Sequence, residues 1–326
     1  MFLAVRELAK EKTRFILVTL VIFLVSYLVF FLTSLAYGLA TSYTKGIDVW
    51  KATGIALEAD ADKNISRSLL SEKQYSGYFD SETMELLGVG SGVVNGQNQS
   101  TDVTFFGIDT NRRLMPNIAE GQPISQPGEV VVGRDLETDG LVVGDNIKFK
   151  SSDRSYRVVG FTDDLTFQTQ PIVYMSLDDW RTLAAETSGM SGMKDETTIS
   201  AIVTFSSGDG AKASDSINWQ SISDFSFSLP GYRPQVLTFS LMIGFLIFIA
   251  ALVLAVFMYI LTIQKKSIFG VLKAEGISSA YIARSVIIES LILVLVGLLI
   301  GLICALATGL SLSGKVPYTV NEIFFL

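Results

Sequence analysis

The 326-residue sequence predicts an α+β membrane protein, with transmembrane helices and a large mixed α/β extracellular domain inserted between the first and second spans. Three observations carry that prediction. The runs Phe15 to Ala40, Val236 to Gln264 and Ser290 to Gly314 hold no charged residue, and each exceeds the roughly 20 residues a helix needs to cross a bilayer core. Hydrophobic residues make up 49% of the chain and the mean hydropathy is +0.44, above the range of ordinary globular domains. Between the first two runs, the sequence changes to short β-rich segments broken by Gly, Asn and Ser.

Charge sets the orientation. Residues 41–233 hold 16 basic and 27 acidic residues, a net −11, while the remainder holds 9 and 5, a net +4. Arg6, Lys10, Lys12 and Arg14 precede the first span, and Lys265, Lys266, Lys273 and Arg284 lie between the second and third. Short basic loops stay cytoplasmic, so the N-terminus and residues 265–284 are expected inside and the acidic insert outside. An acidic outer domain disfavours nucleic acid as a partner. The first span is too long for the apolar core of a cleaved signal peptide, and Tyr37 and Tyr43 stand where small residues would be needed.

Residues 1–13 read as an amphipathic helix on the cytoplasmic surface, with Phe2, Val5 and Ala9 apolar against Arg6, Glu7, Lys10 and Glu11. The first span is expected over 14–40 and the extracellular domain over 41–233. In its first part, Gly90-Ser91-Gly92 and Asn95-Gly96-Gln97-Asn98 read as turns. Its second part is clearer: strands at Glu129–Val132, Asn146–Lys150, Tyr156–Phe161 and Ile172–Met175, a turn at Leu141–Asp145, and helices at Arg134–Thr138 and Leu177–Ala185. Pro230, Gly231 and Pro234 are expected to delay the second span, 235–264, until near Val236. The coupling loop 265–284 opens with an amphipathic helix that Gly276 ends, and Ser278 or Ser279 caps the next helix. The third span is expected over 287–314. Residues 315–326 read as an outer loop, with Ile323-Phe324-Phe325-Leu326 opening a further span that the sequence does not complete.

Chemistry is sparse. Histidine is absent and Cys304 is the single cysteine, placed in the third span, so no internal disulfide can form and the commonest general base and metal ligand are missing. No catalytic or metal site is expected. Gly309-x-x-x-x-Gly314-Lys315 imitates a phosphate-binding loop, but Val316 replaces the required Ser or Thr and no strand precedes it; the chain carries no ATP site of its own. No ionisable residue stands mid-span, which argues against a transporter driven by protons or sodium. Glu289 and Arg284 read as interfacial anchors at the inner edge of the third span. Gly297-x-x-x-Gly301 allows close helix packing, either within the chain or between copies.

Thr262-Ile263-Gln264-Lys265-Lys266-Ser267-Ile268-Phe269-Gly270-Val271-Leu272-Lys273-Ala274-Glu275-Gly276-Ile277 resembles the segment after the second span in FtsX/MacB-type ABC-transporter permeases. Met1-Phe2-Leu3-Ala4-Val5-Arg6-Glu7-Leu8 with Arg14-Phe15, and Ser155-Tyr156-Arg157-Val158-Val159-Gly160, are similar to the subgroup of DevC-like and hemin-exporter permeases. The order of short helix, span, large domain and two spans matches as well. The resemblance implies a multi-pass permease of a bacterial cell membrane that pairs with a second copy and works with a separate ABC ATPase carrying ATP and magnesium, with no cofactor of its own. It implies that Lys265, Lys266, Phe269, Leu272, Lys273 and Glu275 couple to that ATPase, although Glu275 stands where the family usually has an apolar residue. Spans acting as levers would then export or extract an amphipathic compound, heme first, then lipid-like or antimicrobial molecules. The alternative is a non-transporting mechanotransmitter that regulates an extracellular partner such as a cell-wall hydrolase. With no histidine, a heme ligand would be Tyr, Met or carboxylate, and Tyr232, Tyr174 and Met84 are the candidates for the outer membrane edge. The plainer reading of Tyr232 is an aromatic interface anchor. The hemin-exporter pattern carries a Tyr within Asp163–Phe167 and a Glu soon after Tyr232; Phe167 and Gln235 stand there. The pattern also continues into a fourth span.

Overall fold

The computed structural model describes residues 12–95, 100–137, 140–187, 198–206, 215–312 and 318, with side chains from Phe15 onward. The chain divides into two units, one of Met1–Leu39 with Val236–Leu326 and one of Ala40–Gln235. The expected N-terminal amphipathic helix (1–13) and the expected outer loop (315–326) lie outside the described residues, apart from Lys12, Thr13 and Tyr318.

Among the described residues, three helices are long and apolar enough to cross a membrane: α1 (Lys12–Asp48), α5 (Tyr232–Gln264) and α7 (Ser279–Leu312). Each runs further than its uncharged core. Helix α1 continues past Ala40 to Asp48 because nothing in Thr41–Asp48 breaks a helix except Gly46, which costs only about 1 kcal/mol. Helix α5 starts at Tyr232, ahead of the expected 235. Gly231, at φ +82°, makes the turn, and Pro234 lies in the first helical turn, where its missing N–H would have had no partner anyway. Helix α7 starts at Ser279, ahead of the expected 287, and Ser278 Oγ accepts the Tyr281 N–H at 3.3 Å. Arg284 is therefore a helical residue.

Between α5 and α7 lies α6 (Lys266–Ala274), joined to α5 through the single residue Lys265. Its end is a Schellman turn. Gly276 sits at φ +90°, its N–H reaches the Lys273 carbonyl at 3.1 Å, and the Ile277 N–H reaches the Leu272 carbonyl at 3.0 Å.

Within the first unit, α1 and α7 pack through glycines. A Cβ on Gly297 would come within 2.5 Å of the Ile22 side chain, and one on Gly301 within 3.0 Å of the Tyr27 backbone nitrogen. The small-residue spacing thus serves an intramolecular seam. Further along, Tyr27 and Thr308 hydroxyls pair at 3.2 Å, and Tyr318 lies on Gly309 and donates to the Ala305 carbonyl at 3.0 Å.

The second unit is a mixed sheet of β1 (Gly54–Glu58), β2 (Met84–Asn95), β3 (Ser100–Ile108), β4 (Ile118–Gly121), β5 (Glu129–Gly133), β6 (Asn146–Lys148), β7 (Ser155–Thr162), β8 (Thr166–Phe167), β9 (Gln170–Ser176), β10 (Ala201–Thr204) and β11 (Ile217–Ser221). The order is β11-β1-β10-β2-β3-β9-β5-β7-β4, with β6 on β7 and β8 on β9. Only β3 with β9 and β5 with β7 pair in parallel; the other named pairs are antiparallel. Short helices α2 (Glu72–Tyr75), α3 (Leu177–Thr187) and α4 (Ile222–Ser228) complete it, with a 3-10 turn at Arg134–Leu136 in place of the expected Arg134–Thr138 helix.

The Gly90-Ser91-Gly92 segment is the largest departure from expectation. It is no turn but the middle of a 12-residue strand, β2. Its glycines are seats for large side chains: a Cβ on Gly90 would meet the Phe105 ring at 2.3 Å, and one on Gly92 the Phe149 ring at 3.0 Å. Gly88 stands directly opposite Gly107 of β3, and the two form a flat floor under the indole of Trp180 from α3. Trp180, Phe105, Phe149 and Tyr156 are all fully or nearly fully buried in one apolar cluster.

Candidate functional site

In the α/β unit, the sequence-predicted ligands do not converge. Tyr174 lies on β9 and Met84 on β2, both with 0% exposure and in different apolar clusters. The alternation of a strand buried on both faces turns them inward, so neither presents a surface to a ligand and both are removed from the candidate set. Burial pushes the Tyr174 phenol far above its usual range, and its hydroxyl has no hydrogen-bond partner among the described residues. Tyr174→Phe is therefore expected to leave stability unchanged or raise it slightly, by up to about 1 kcal/mol, with ligand binding intact; a thermal melt beside a binding isotherm checks both.

Tyr232 alone remains partly exposed. Its ring packs against Tyr43 at 5.6 Å and Phe227 at 5.7 Å between centroids, and the Phe227 side chain is half exposed. The result is an aromatic ledge built from the last turns of α1, the end of α4 and the first turn of α5. Tyr43 and Phe227 are absent from the sequence-derived candidates because their place beside Tyr232 comes from chain crossings, not from local spacing.

The ledge has a rigid back. The two-residue turn between β8 and β9, Gln168 and Thr169, has φ of +50° and +68°, a type I′ geometry that normally calls for Asn-Gly. A β-branched threonine is costly there. The turn is held by α1: the Gln168 N–H donates to the Tyr43 carbonyl at 3.1 Å, the Thr169 N–H to the Ser42 carbonyl at 3.2 Å, and Thr166 Oγ1 to the Ser42 carbonyl at 2.7 Å. Close by, a Cβ on Gly46 would overlap the Ile172 side chain at 2.2 Å. Phe167, where the hemin-exporter pattern carries its tyrosine neighbourhood, is 2% exposed in the core against Phe106.

In the helical unit, the coupling residues separate into two kinds. Lys266, Lys273 and Glu275 are exposed, and Phe269 and Leu272 are partly buried. Ile268 and Val271, 46% and 59% exposed, add an apolar stripe at three-residue spacing that the expected coupling set does not contain. Lys265 is different. It is 4% exposed, and its Nζ donates to both carboxylate oxygens of Glu289 at 2.7 and 2.9 Å. The same Nζ lies 5.4 Å from the centroid of the Phe15 ring. Lys265 therefore leaves the set of surface docking residues, and Glu289 is its buried partner instead of an interfacial anchor. The reason is desolvation: each charge would be expensive alone in this apolar packing, and pairing offsets it. The i-to-i+24 separation hides the pair from any reading by local motif.

Residues 240–326 match the FtsX-like permease C-terminal family. Those residues form an FtsX-like permease domain. That match covers α6, both residues of the Lys265–Glu289 pair, and the glycines Gly297 and Gly301. Two Staphylococcus epidermidis proteins and one from Staphylococcus haemolyticus, each named as a hemin transport system permease HrtB, are 24% identical to it. The alignments cover 98% of this chain and 88–89% of those proteins. Among solved structures, the periplasmic region of MacB from Actinobacillus actinomycetemcomitans aligns with 11% identity over 58% of this chain and 96% of that one, at a TM-score of 0.37. The extracellular domain of the transporter YknZ from Gram-positive bacteria aligns with 11% identity over 52% and 99%, at 0.36.

Proposed function

We propose that this chain is an FtsX-type ABC-transporter permease that moves an amphipathic compound out of the membrane, heme being the first candidate, using ATP hydrolysed by a separate ABC ATPase. The observation that carries the reading is the alignment with hemin-transport permeases along 98% of the chain. The basic loop 265–284 and the N-terminus then face the cytoplasm and the acidic α/β domain faces outward, as the distribution of Lys and Arg requires. Two copies work together. The stripe of Ile268 and Val271, rimmed by Lys266 and Lys273, meets the ATPase, and the long helices pass its motion to the α/β domain. The substrate meets the ledge of Tyr43, Phe227 and Tyr232, where aromatic faces suit a flat macrocycle and the Tyr232 phenolate is the available iron ligand.

The test is a heme titration of the detergent-purified complex with its ATPase, read by Soret absorbance and ATPase rate. Saturable binding with a changed rate, and a Soret shift in Tyr232→Phe, support heme export. Absence of binding by a competent ATPase complex moves the substrate to lipids or peptides. If no solute moves at all, the same levers serve an extracellular partner. Lys266→Glu with Lys273→Glu is expected to abolish co-purification with the ATPase, and intact co-purification overturns the docking surface.

A further inference from the structure

We propose that the buried Lys265–Glu289 pair is a latch that fixes the orientation of α6 on the helices behind it. It gives a purpose to the reading of α6 as the ATPase-facing helix, and its geometry can be tested without that ATPase. Helix α5 ends at Gln264 and α6 begins at Lys266, so Lys265 is the whole joint, with a non-helical backbone at φ −89° and ψ 1°. A one-residue joint swivels unless something holds it. Helix α6 is weakly anchored by its own side chains, since none is fully buried and Phe269 and Leu272 are only partly so. At its far end stands the Gly276 turn.

The joint's own side chain supplies the missing constraint. Glu289 accepts from Lys265 through both carboxylate oxygens, at 2.7 and 2.9 Å, and both residues are 4% exposed. One ammonium held between both carboxylate oxygens fixes where the tip of the joint's side chain sits, and burial keeps water from replacing the contact. Phe15 of α1, also 4% exposed, closes one side of the ammonium at 5.4 Å from its ring centroid. Joint, α7 and α1 therefore meet at one point, and a push on α6 reaches α1 and α7 directly. Simple adhesion between α1 and α7 does not need this pair, because the Gly297 and Gly301 seam already holds those helices together. Its position at the joint is what assigns it to α6.

The experiment measures the orientation itself. Spin labels go on Gly270→Cys, whose Cβ position meets nothing within 4 Å, and on Leu310→Cys, 81% exposed in α7, with Cys304→Ser removing the native thiol. Leu310 stands about 30 Å along α7 from Glu289 at 1.5 Å per residue, a useful range for electron–electron resonance in lipid nanodiscs. The parent is expected to give one narrow distance distribution. Lys265→Met with Glu289→Met removes both charges at once, so no buried charge is left stranded to unfold the protein. Its distribution is expected to widen about twofold, and the charge-exchanged Lys265→Glu with Glu289→Lys is expected to narrow it again. A narrow distribution in the doubly neutral variant overturns the latch, because packing alone then orients α6. If the distances behave as expected but the Lys266 and Lys273 reversals leave ATPase co-purification intact, the latch stands and the docking role of α6 falls.

Discussion

Trp180→Ala is expected to destabilise the α/β domain by about 3–5 kcal/mol, read as a lower urea midpoint of the full-length protein by far-UV circular dichroism. The indole is 0% exposed and fills the space above the paired glycines of β2 and β3. Neither glycine has a side chain with which to collapse into the void, so the cavity stays open. The reciprocal change tests the same geometry. A Cβ on Gly88 would lie 2.2 Å from the indole, so Gly88→Ala is expected to cost about 1–3 kcal/mol by overpacking. In a Trp180→Ala background that cost disappears, because the added methyl enters the cavity. Additive losses would show that Trp180 does not rest on Gly88.

The second large effect belongs to the membrane unit. Glu289→Ala strands the Lys265 ammonium among apolar side chains, and the expected cost is about 3–5 kcal/mol. It should appear as a sharp drop in the melting temperature of the detergent-solubilised protein. Removing both partners together, as Lys265→Met with Glu289→Met, should recover most of that loss, since an apolar pair of similar volume is close to neutral. If the single and double variants melt alike, the ammonium finds solvent in the single variant and the pair is worth little.

The legibility of the fold tracks the range of the interactions. Helices set by long apolar runs, and strands such as Tyr156–Phe161 with clean alternation, announce themselves locally. Their ends depart from expectation where a tertiary or turn feature overrides a breaker, as when Pro234 enters the first turn of α5. Gly90-Ser91-Gly92 departs for a related reason. A glycine inserted in a strand to seat Phe105 has the same one-letter signature as a glycine in a turn. For the site, the basic and apolar residues of α6 are legible as a class, but their exposure is not. Lys265 and Lys266 are adjacent and identical in sequence, and burial separates them only because Glu289 arrives 24 positions later. Tyr174 and Met84 are candidates by chemistry alone, and the sheet's two-sided burial excludes them.

The Lys265–Glu289 contact also constrains how the protein enters its membrane. Glu289 lies ten residues into α7, about 15 Å from its start. At the inner edge of the third span a lone carboxylate costs less than the ~2.5–3.5 kcal/mol of a charge at the helix centre, but it still opposes partition into lipid. Lys265 has already been synthesised when Glu289 emerges, so the cheapest route is for α5, α6 and α7 to partition together as one neutralised hairpin. A lesion at Lys265 is therefore expected to lower the insertion efficiency of α7, a helix beginning fourteen residues downstream, as a glycosylation-mapping insertion assay would show.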